Sequence, residues 1–114
     1  MRIGEYHFGR VSVSGIAYDK DLIVLPPRVL SPWWRERGHL VAVADLAPVF
    51  EYAPDTLIVG SGAYGAMRIA DAARQALAER TVHLELFTTQ VACDRFNALA
   101  AEGRRVAAAL HLTC

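Results

Sequence analysis

The sequence predicts one α/β domain whose second half runs β-α-β-α-β, and three stretches carry that prediction. Thr56-Leu57-Ile58-Val59 is a short apolar run that ends in Gly60-Ser61-Gly62-Ala63-Tyr64-Gly65, and an alanine-rich helical pattern follows from Ala66. Strand, tight turn, helix is the opening of a βα unit. Ile69, Ala73, Ala76 and Leu77 then fall at i, i+4, i+7 and i+8, and Ala92, Phe96, Leu99 and Ala100 repeat the stripe, so two helices each bury one face. Finally, Val106-Ala107-Ala108-Ala109-Leu110-His111-Leu112 is a near-continuous apolar run of the kind found in a strand covered on both faces. Strands joined through helices in this order run parallel, with right-handed crossovers.

In chain order, residues 1–25 read as short strands. Val11 and Val13 alternate with Ser12 and Ser14, a half-buried period-two pattern. Gly15 and Tyr18-Asp19-Lys20-Asp21 break it, and Leu22-Ile23-Val24-Leu25 is a second, more apolar strand. Asp19 and Asp21 could form a paired-carboxylate site, but polar turn residues between two strands account for them more simply. Pro26-Pro27 stops the strand, because neither proline can donate to a ladder.

Ser31-Pro32 has N-cap and first-position chemistry, which predicts a single helical turn into Trp33-Trp34-Arg35. Adjacent tryptophans on one turn cannot face the same way, so one packs on the core while the other lies on the surface or lines a groove. Leu40-Val41-Ala42-Val43-Ala44 is another short apolar run, with Asp45 as the expected N-cap of a helix to about Tyr52. Ala53-Pro54-Asp55 turns the chain into the strand at Thr56. The helix over Ala66–Arg80 shows Arg68, Asp71, Gln75 and Glu79 to solvent, with Asp71 in reach of Arg68 and Arg74. Val82–Phe87 alternates apolar residues with His83 and Glu85, a strand; Thr88 or Thr89 caps the last helix, and Gly103 fits its C′ end. Neither half has a core of its own, so the β-rich first half continues the second-half sheet or packs against it.

The totals bound the function. A chain of 114 residues is one domain, large enough to bury roughly two-thirds of its unfolded surface. Hydrophobic residues make up 54% and charged residues 21%, which fits a folded globule. Lys+Arg and Asp+Glu are both 12, so net charge supplies no long-range attraction to nucleic acid or to an anionic membrane, and neither is expected as a partner. Cys93 and Cys114 form no Cys-x-x-Cys pair, and the amino-terminal residues carry no leader pattern, so a cytoplasmic setting is expected. No run approaches the roughly 18 apolar residues of a membrane span.

Gly60 to Gly65 is a literal G-x-G-x-x-G placed after a strand and before a helix, with Glu85 twenty positions beyond the last glycine. Glu85 lies inside its strand where a ribose-binding acid should close one, and 114 residues cannot supply a second mononucleotide half, so no cofactor is expected. The candidate that remains is a smaller anion held by amides of the turn and the helix start, at Gly60, Ser61, Gly62, Tyr64 and Gly65. Arg35 and His39, beside the tryptophans, would complete it; the competing reading is a packed loop with solvated arginines and His39 bonded to backbone carbonyls. His39 with Asp45 could act as base and orienter. Yet no serine or cysteine nucleophile stands in a recognisable elbow, and Ser61 lacks the G-x-S-x-G frame, so no catalytic residue is assigned. His111 and Cys114 lie three apart with no second pair at metal spacing, so no metal site is assigned either. Cys93, among alanines on its helix, reads as a small buried packing residue.

Several pieces stand in one order: Trp33-Trp34-Arg35, Gly38-His39, Asp45-Leu46, Leu57–Gly62, Thr88-Thr89 with Ala92, Phe96-Asn97-Ala98-Leu99 and Glu102–Cys114. Together they resemble the small Mth-type domain of uncharacterised function, a family that includes mitochondrial assembly factors for NADH dehydrogenase (respiratory complex I) and a vertebrate adipogenesis-associated protein. The resemblance spans nearly all of residues 1–114 and is most specific at the carboxy-terminal stretch. It implies a single domain in three layers, β+α/β/α, with a mixed sheet. For function it implies little: the mitochondrial members are assembly partners, and without an import leader that role does not transfer directly.

Two readings follow. The first is a non-catalytic protein-interaction or assembly module in which Trp33 and Trp34 meet a protein partner; sparse charge around Trp33 is also compatible with a homo-oligomer. The second is a small-anion or metabolite-binding domain, or an enzyme, using the glycine turn with Arg35 and His39. The lack of a catalytic set favours the first.

Overall fold

A computed structural model describes residues 1–114 and places ten strands and three α-helices along them. β1 (Ile3–His7), β2 (Arg10–Val13) and β3 (Ile16–Tyr18) form one antiparallel sheet in that order. β4 (Leu22–Leu25) and β5 (Arg28–Leu30) are a hairpin around Pro26-Pro27. Next come β6 (Leu40–Val41), a 3-10 turn (Val43–Leu46), α1 (Ala47–Tyr52), β7 (Thr56–Ser61) and β8 (Arg68–Ile69). α2 (Asp71–Glu79), β9 (His83–Phe87), α3 (Thr89–Ala101) and β10 (Val106–His111) complete the chain.

The central sheet has the order β5-β4-β10-β7-β9. β10 is its middle strand, parallel to β7 and antiparallel to β4, while β9 runs parallel to β7 at one edge. Side chains alternate across a strand, so the apolar run of β10 feeds two cores at once. Ala107 and Ala109 face the same side as Ile23, Leu25, Leu57 and Val59; α1, α2 and the β6–β8 pair close that side with Val49, Ala73, Leu77, Val41 and Ile69. Ala108 and Leu110 face the other side with Leu22, Val24 and Ile58, and there α3 supplies Ala92, Cys93, Phe96 and Leu99 while the three-stranded sheet supplies Ile3, Val11 and Val13. The result is the three-layer β+α/β/α arrangement with a parallel second half. The first half does both things expected of it: β4 and β5 extend the sheet, and β1 to β3 pack on its face. α3 ends as the glycine requires, with Gly103 at φ +80° and its N–H on Ala100 O at 3.0 Å, while Arg104 N–H reaches Leu99 O at 3.2 Å.

Four local expectations are corrected. No helical turn forms at Ser31-Pro32; the backbone N–H of Trp33 instead donates to Asp21 O at 2.7 Å, tying that loop to the start of β4. Asp45 is not the N-cap of α1, because its carboxylate closes the preceding 3-10 turn by accepting the Ala42 N–H at 2.8 Å. The strand begun at Thr56 continues through Gly60 and Ser61, which pair with Leu110 and His111. Most consequentially, the helix predicted from Ala66 begins only at Asp71. Arg68 and Ile69 pair with Leu40 and Val41, and Arg68 N–H donates to His39 O at 2.8 Å, so a tertiary ladder takes residues whose spacing alone favours a helix.

Candidate functional site

β7 and β10 end side by side at Ser61 and His111, and β4, antiparallel to β10, begins beside them at Leu22. That register carries Asp21 to the carboxy-terminal end of the sheet's middle strand, a place where open α/β sheets build sites. Asp21 Oδ2 lies 2.7 Å from His111 Nδ1 and 2.7 Å from Arg35 Nη2, and Asp21 Oδ1 accepts the Leu112 N–H at 2.8 Å. An ionised carboxylate only accepts, so the imidazole carries a proton on Nδ1. Arg35 is fixed further by Nε and Nη2 donating to Gly38 O at 3.1 and 2.7 Å, and its guanidinium carbon sits 4.4 Å from the Trp33 ring centroid. Burial pushes the Asp21 carboxyl up, but hydrogen bonds from His111, Arg35 and the Leu112 amide outweigh it and hold the group down at about 2.

Of the residues nominated from sequence, Arg35, His39 and Gly62 stand against His111, which the sequence offered only as half of a metal pair. Arg35 Nη2 is 3.3 Å from His111 Nδ1, and the His39 ring stands edge-on to His111 with centroids 5.3 Å apart. On the opposite side is Gly62, at φ +105°; a Cβ there would overlap the Cys114 backbone and come within 2.9 Å of His111 Cδ2. Gly60 is also tight, with Thr89 Oγ1 2.9 Å from where its Cβ would stand. Ser61 is buried and donates to Phe87 O at 2.9 Å. Tyr64 is 80% exposed, and Gly65 turns the loop at φ +72°.

Most amides of the cradle expected at this turn are already taken. Gly62 N–H donates to Thr89 Oγ1 at 2.9 Å, and Ala63, Ala66 and Met67 N–H donate to Thr113 O, Cys114 O and Ser61 O at 2.6, 3.0 and 3.0 Å. Gly65 N–H reaches Gly62 O at 3.3 Å. α2 starts only at Asp71, and the helix N-terminus that does meet the turn, that of α3, is occupied there by Gly62, whose carbonyl oxygen accepts the Thr89 N–H at 3.1 Å. At Gly62 the absent side chain lets the Cys114 backbone pack against the loop, which is a structural need rather than an anion's. Glu85 is likewise occupied, pairing with Arg95 on α3 at 2.8 and 3.2 Å.

Sequence reasoning missed Asp21, read as a turn residue, and Thr89, which accepts from Gly62 and donates to His111 O at 2.5 Å. One signal for the cluster stood in the sequence: a lone imidazole within a strand covered on both faces needs a partner. Of the two tryptophans, Trp33 is 4% exposed, its Nε1 donating to Asp45 O at 3.0 Å, whereas Trp34 is 76% exposed. A groove of about 380 Å³ lies between them and Asp21, lined also by Asp19, Lys20 and Thr113. Nearby, the exposed Phe8 and Tyr64 rings pair with centroids 6.2 Å apart. No group of three or more His, Cys, Asp or Glu side chains is placed to hold a metal ion, and no helix is long and apolar enough to cross a membrane.

Solved structures share this fold. A protein called MT938 is 28% identical over 99% of this chain and 98% of its own, with a TM-score of 0.82. The Rpa2829 protein of Rhodopseudomonas palustris is 33% identical over 95% of this chain and 80% of its own, with a TM-score of 0.76. A Bordetella pertussis protein described as a Mth938-like domain is 22% identical over 97% of this chain and 85% of its own, with a TM-score of 0.73. The architecture is therefore that of a Mth938-like domain. At the level of sequence, the model for "Protein of unknown function (DUF498/DUF598)" matches residues 3–111, and the chain belongs to that family.

Proposed function

We infer that this domain is a non-catalytic protein-interaction or assembly module whose contact face is the carboxy-terminal end of the central sheet. One observation carries this reading. Trp34, Tyr64 and Phe8 are 76%, 80% and 56% exposed, and all three border the same backbone segment, Leu112–Cys114. Trp34 shares its groove with Thr113, the loop bearing Tyr64 bonds Thr113 and Cys114, and the turn bearing Phe8 sends the Gly9 N–H to Leu112 O at 2.8 Å. Large aromatics at one exposed place are the residues that anchor partner surfaces. The zero formal charge leaves that contact to shape and apolar area, with no role for nucleic acid. Of the two tryptophans it assigns the contact to Trp34, with Trp33 as the buried support beneath it. A cytoplasmic setting accords with two free thiols, one of them exposed.

Quantitative affinity capture with the wild-type chain and with Trp34→Ala and Tyr64→Ala tests it. The interaction reading expects at least one protein captured by the wild type and lost from both variants at unchanged thermal stability. A self-association would show instead as a dimer in sedimentation that both substitutions abolish. Capture and sedimentation identical for all three chains would overturn the assignment.

Small-ligand binding, as a second reading, keeps Arg35 and no longer rests on the glycine turn. What favours it is the unpaired Nη1 of that buried arginine.

A further inference from the structure

The central sheet has two edges, and they are not alike. β5, at one of them, is three residues long, follows Pro26-Pro27 and carries Arg28. Short length, proline and charge are common ways of keeping a sheet edge from pairing. β9, at the other, pairs only with β7, in unbroken register from His83 to Phe87, with no proline, lysine or bulge. His83 N–H donates to Asp55 O at 2.9 Å, so His83, Glu85 and Phe87 turn their backbone groups toward β7. Alternate residues of a parallel strand face the other way. The N–H and C=O groups of Leu84 and Leu86 therefore point out of the sheet, and no hydrogen bond within the chain reaches them. Side chains follow the same alternation. Val82 and Leu84 pack on the α2 side, and Leu86, beside Val59 in the ladder, faces that side too and is 38% exposed. His83 and Glu85 face the α3 side, 3.4 Å apart, where Glu85 also meets Arg95.

We propose that the chain dimerises through this edge, β9 pairing antiparallel with β9 of a second copy about a two-fold axis at Leu84, so that two five-stranded sheets become one. The order Val82-His83-Leu84-Glu85-Leu86 is what carries the choice of partner. Read outward from Leu84 it is the same in polarity and opposite in charge: apolar, basic, apolar, acidic, apolar. An isologous contact needs a surface that is its own complement, and this one is. The axis sets Leu84 opposite Leu84 of the second copy, and the two exchange N–H and C=O bonds. Leu86 N–H meets Val82 C=O across the axis; the Val82 N–H is already given to Leu77 O at 2.9 Å. His83 lies opposite Glu85 of the second copy, twice by symmetry, and an imidazole N–H donates to a carboxylate whether the ring is neutral or protonated. On the other face Val82, Leu84 and Leu86 of both copies form one apolar row that covers the exposed part of Leu86. Moving the axis to Glu85 would set two carboxylates directly against each other, which is unfavourable. Moving it to Leu86 would put Glu85 opposite Phe87 and lose the match with His83. The contact uses none of Trp34, Tyr64 and Phe8, so it is independent of the exposed aromatic face.

Sedimentation of the full chain over a wide range of concentrations, with amide hydrogen exchange measured at the same concentrations, tests this. The wild type should pass from monomer to dimer as concentration rises, and the Leu84 and Leu86 amides should gain protection in step. Leu86→Lys places a charge in the apolar row, and His83→Glu sets a carboxylate opposite Glu85 of the second copy. Each should raise the dissociation constant about tenfold or more while circular dichroism shows the chain still folded. The His83 side chain is 69% exposed, so His83→Glu decides the matter even where Leu86→Lys fails to fold. Adding Glu85→His to His83→Glu inverts the order of charges without losing the match, and should recover the dimer. Trp34→Ala and Tyr64→Ala should leave dimerisation unchanged, which separates this edge from the interaction face. The proposal is overturned by a monomer at every concentration, or by a dimer whose Leu84 and Leu86 amides exchange as fast as in the monomer. A dimer that survives both Leu86→Lys and His83→Glu, or that is lost in Trp34→Ala, overturns it equally.

Discussion

Asp21 and His111, 90 positions apart, meet at 2.7 Å because β4 starts where β10 ends. The same carboxylate holds Arg35, so β4, the middle strand β10 and the loop after Trp33 are joined at one acid. Asp21→Ala would strip the partner from a buried guanidinium whose side chain is 4% exposed. Breaking such a pair from one side costs about 3–5 kcal/mol, and urea unfolding should show a loss of that order. Asp19→Ala, two residues earlier and exposed, should stay within about 0.5 kcal/mol of the wild type.

Acid stability follows from the same group. The Asp21 carboxyl is held at about 2 in the fold, against an ordinary 3.8. A depressed acid contributes its full stability above the ordinary value and loses it as pH falls toward the folded one. Unfolding free energy should therefore drop by about 2 kcal/mol between roughly pH 5 and pH 2 through Asp21 alone. Asp21→Asn should be flatter over that window by the same amount; parallel curves for the two chains would contradict the assignment.

Gly62 separates the two explanations of the glycine turn. At φ +105° with the Cys114 backbone against its Cα, any side chain meets both strain and overlap. Gly62→Val should lower stability by about 3 kcal/mol. Gly9→Val, at φ +80° with nothing within 4 Å of an added Cβ, should cost about 1–2 kcal/mol from strain alone. Equal thermal midpoints for the two variants would show that the close approach to Cys114 is unimportant.

The tryptophan pair should split in the same way. Trp33→Ala removes a buried member of the core that also holds Val41, Leu46 and Met67, at a cost of about 3–5 kcal/mol. Trp34→Ala should leave the unfolding curve within about 0.5 kcal/mol of the wild type.

Burial pushes the Cys93 thiol up to about 12, while Cys114 is exposed. A thiol reagent near neutral pH should modify Cys114 and leave Cys93 intact until urea is added. Labelling of both at equal rates in the native state would mean that α3 opens readily.

How far the sequence could be read depends on where each element is buried. β7 and β10 are covered on both faces, and their unbroken apolar runs mark them plainly. β3 and β5 are three-residue strands at sheet edges with mixed polarity, and nothing in Ile16–Tyr18 or Arg28–Leu30 distinguishes them from turns. Ile69 falls in a helical stripe of the sequence, yet Leu40 and Val41 offered Arg68 and Ile69 a ladder, and long-range pairing overrode local period. The site was half visible. Arg35, His39 and Gly62 were nominated as parts of it, but the ring they surround is that of His111 and its hydrogen-bond partner is Asp21. Neither residue has a neighbour in sequence that betrays the pairing, since it arises only from sheet order.

That the sheet's innermost strand follows all of its sheet neighbours in chain order bears on biosynthesis. A ribosome delivers β4 and β7 long before β10, and until then both present open edges with no ladder between them. The nascent chain can close neither core early, because Ala107 through Leu110 are shared by both. Consolidation must therefore be late and nearly simultaneous on the two sides, and the emerging polypeptide is most exposed to chaperones and to misassociation just before that segment arrives.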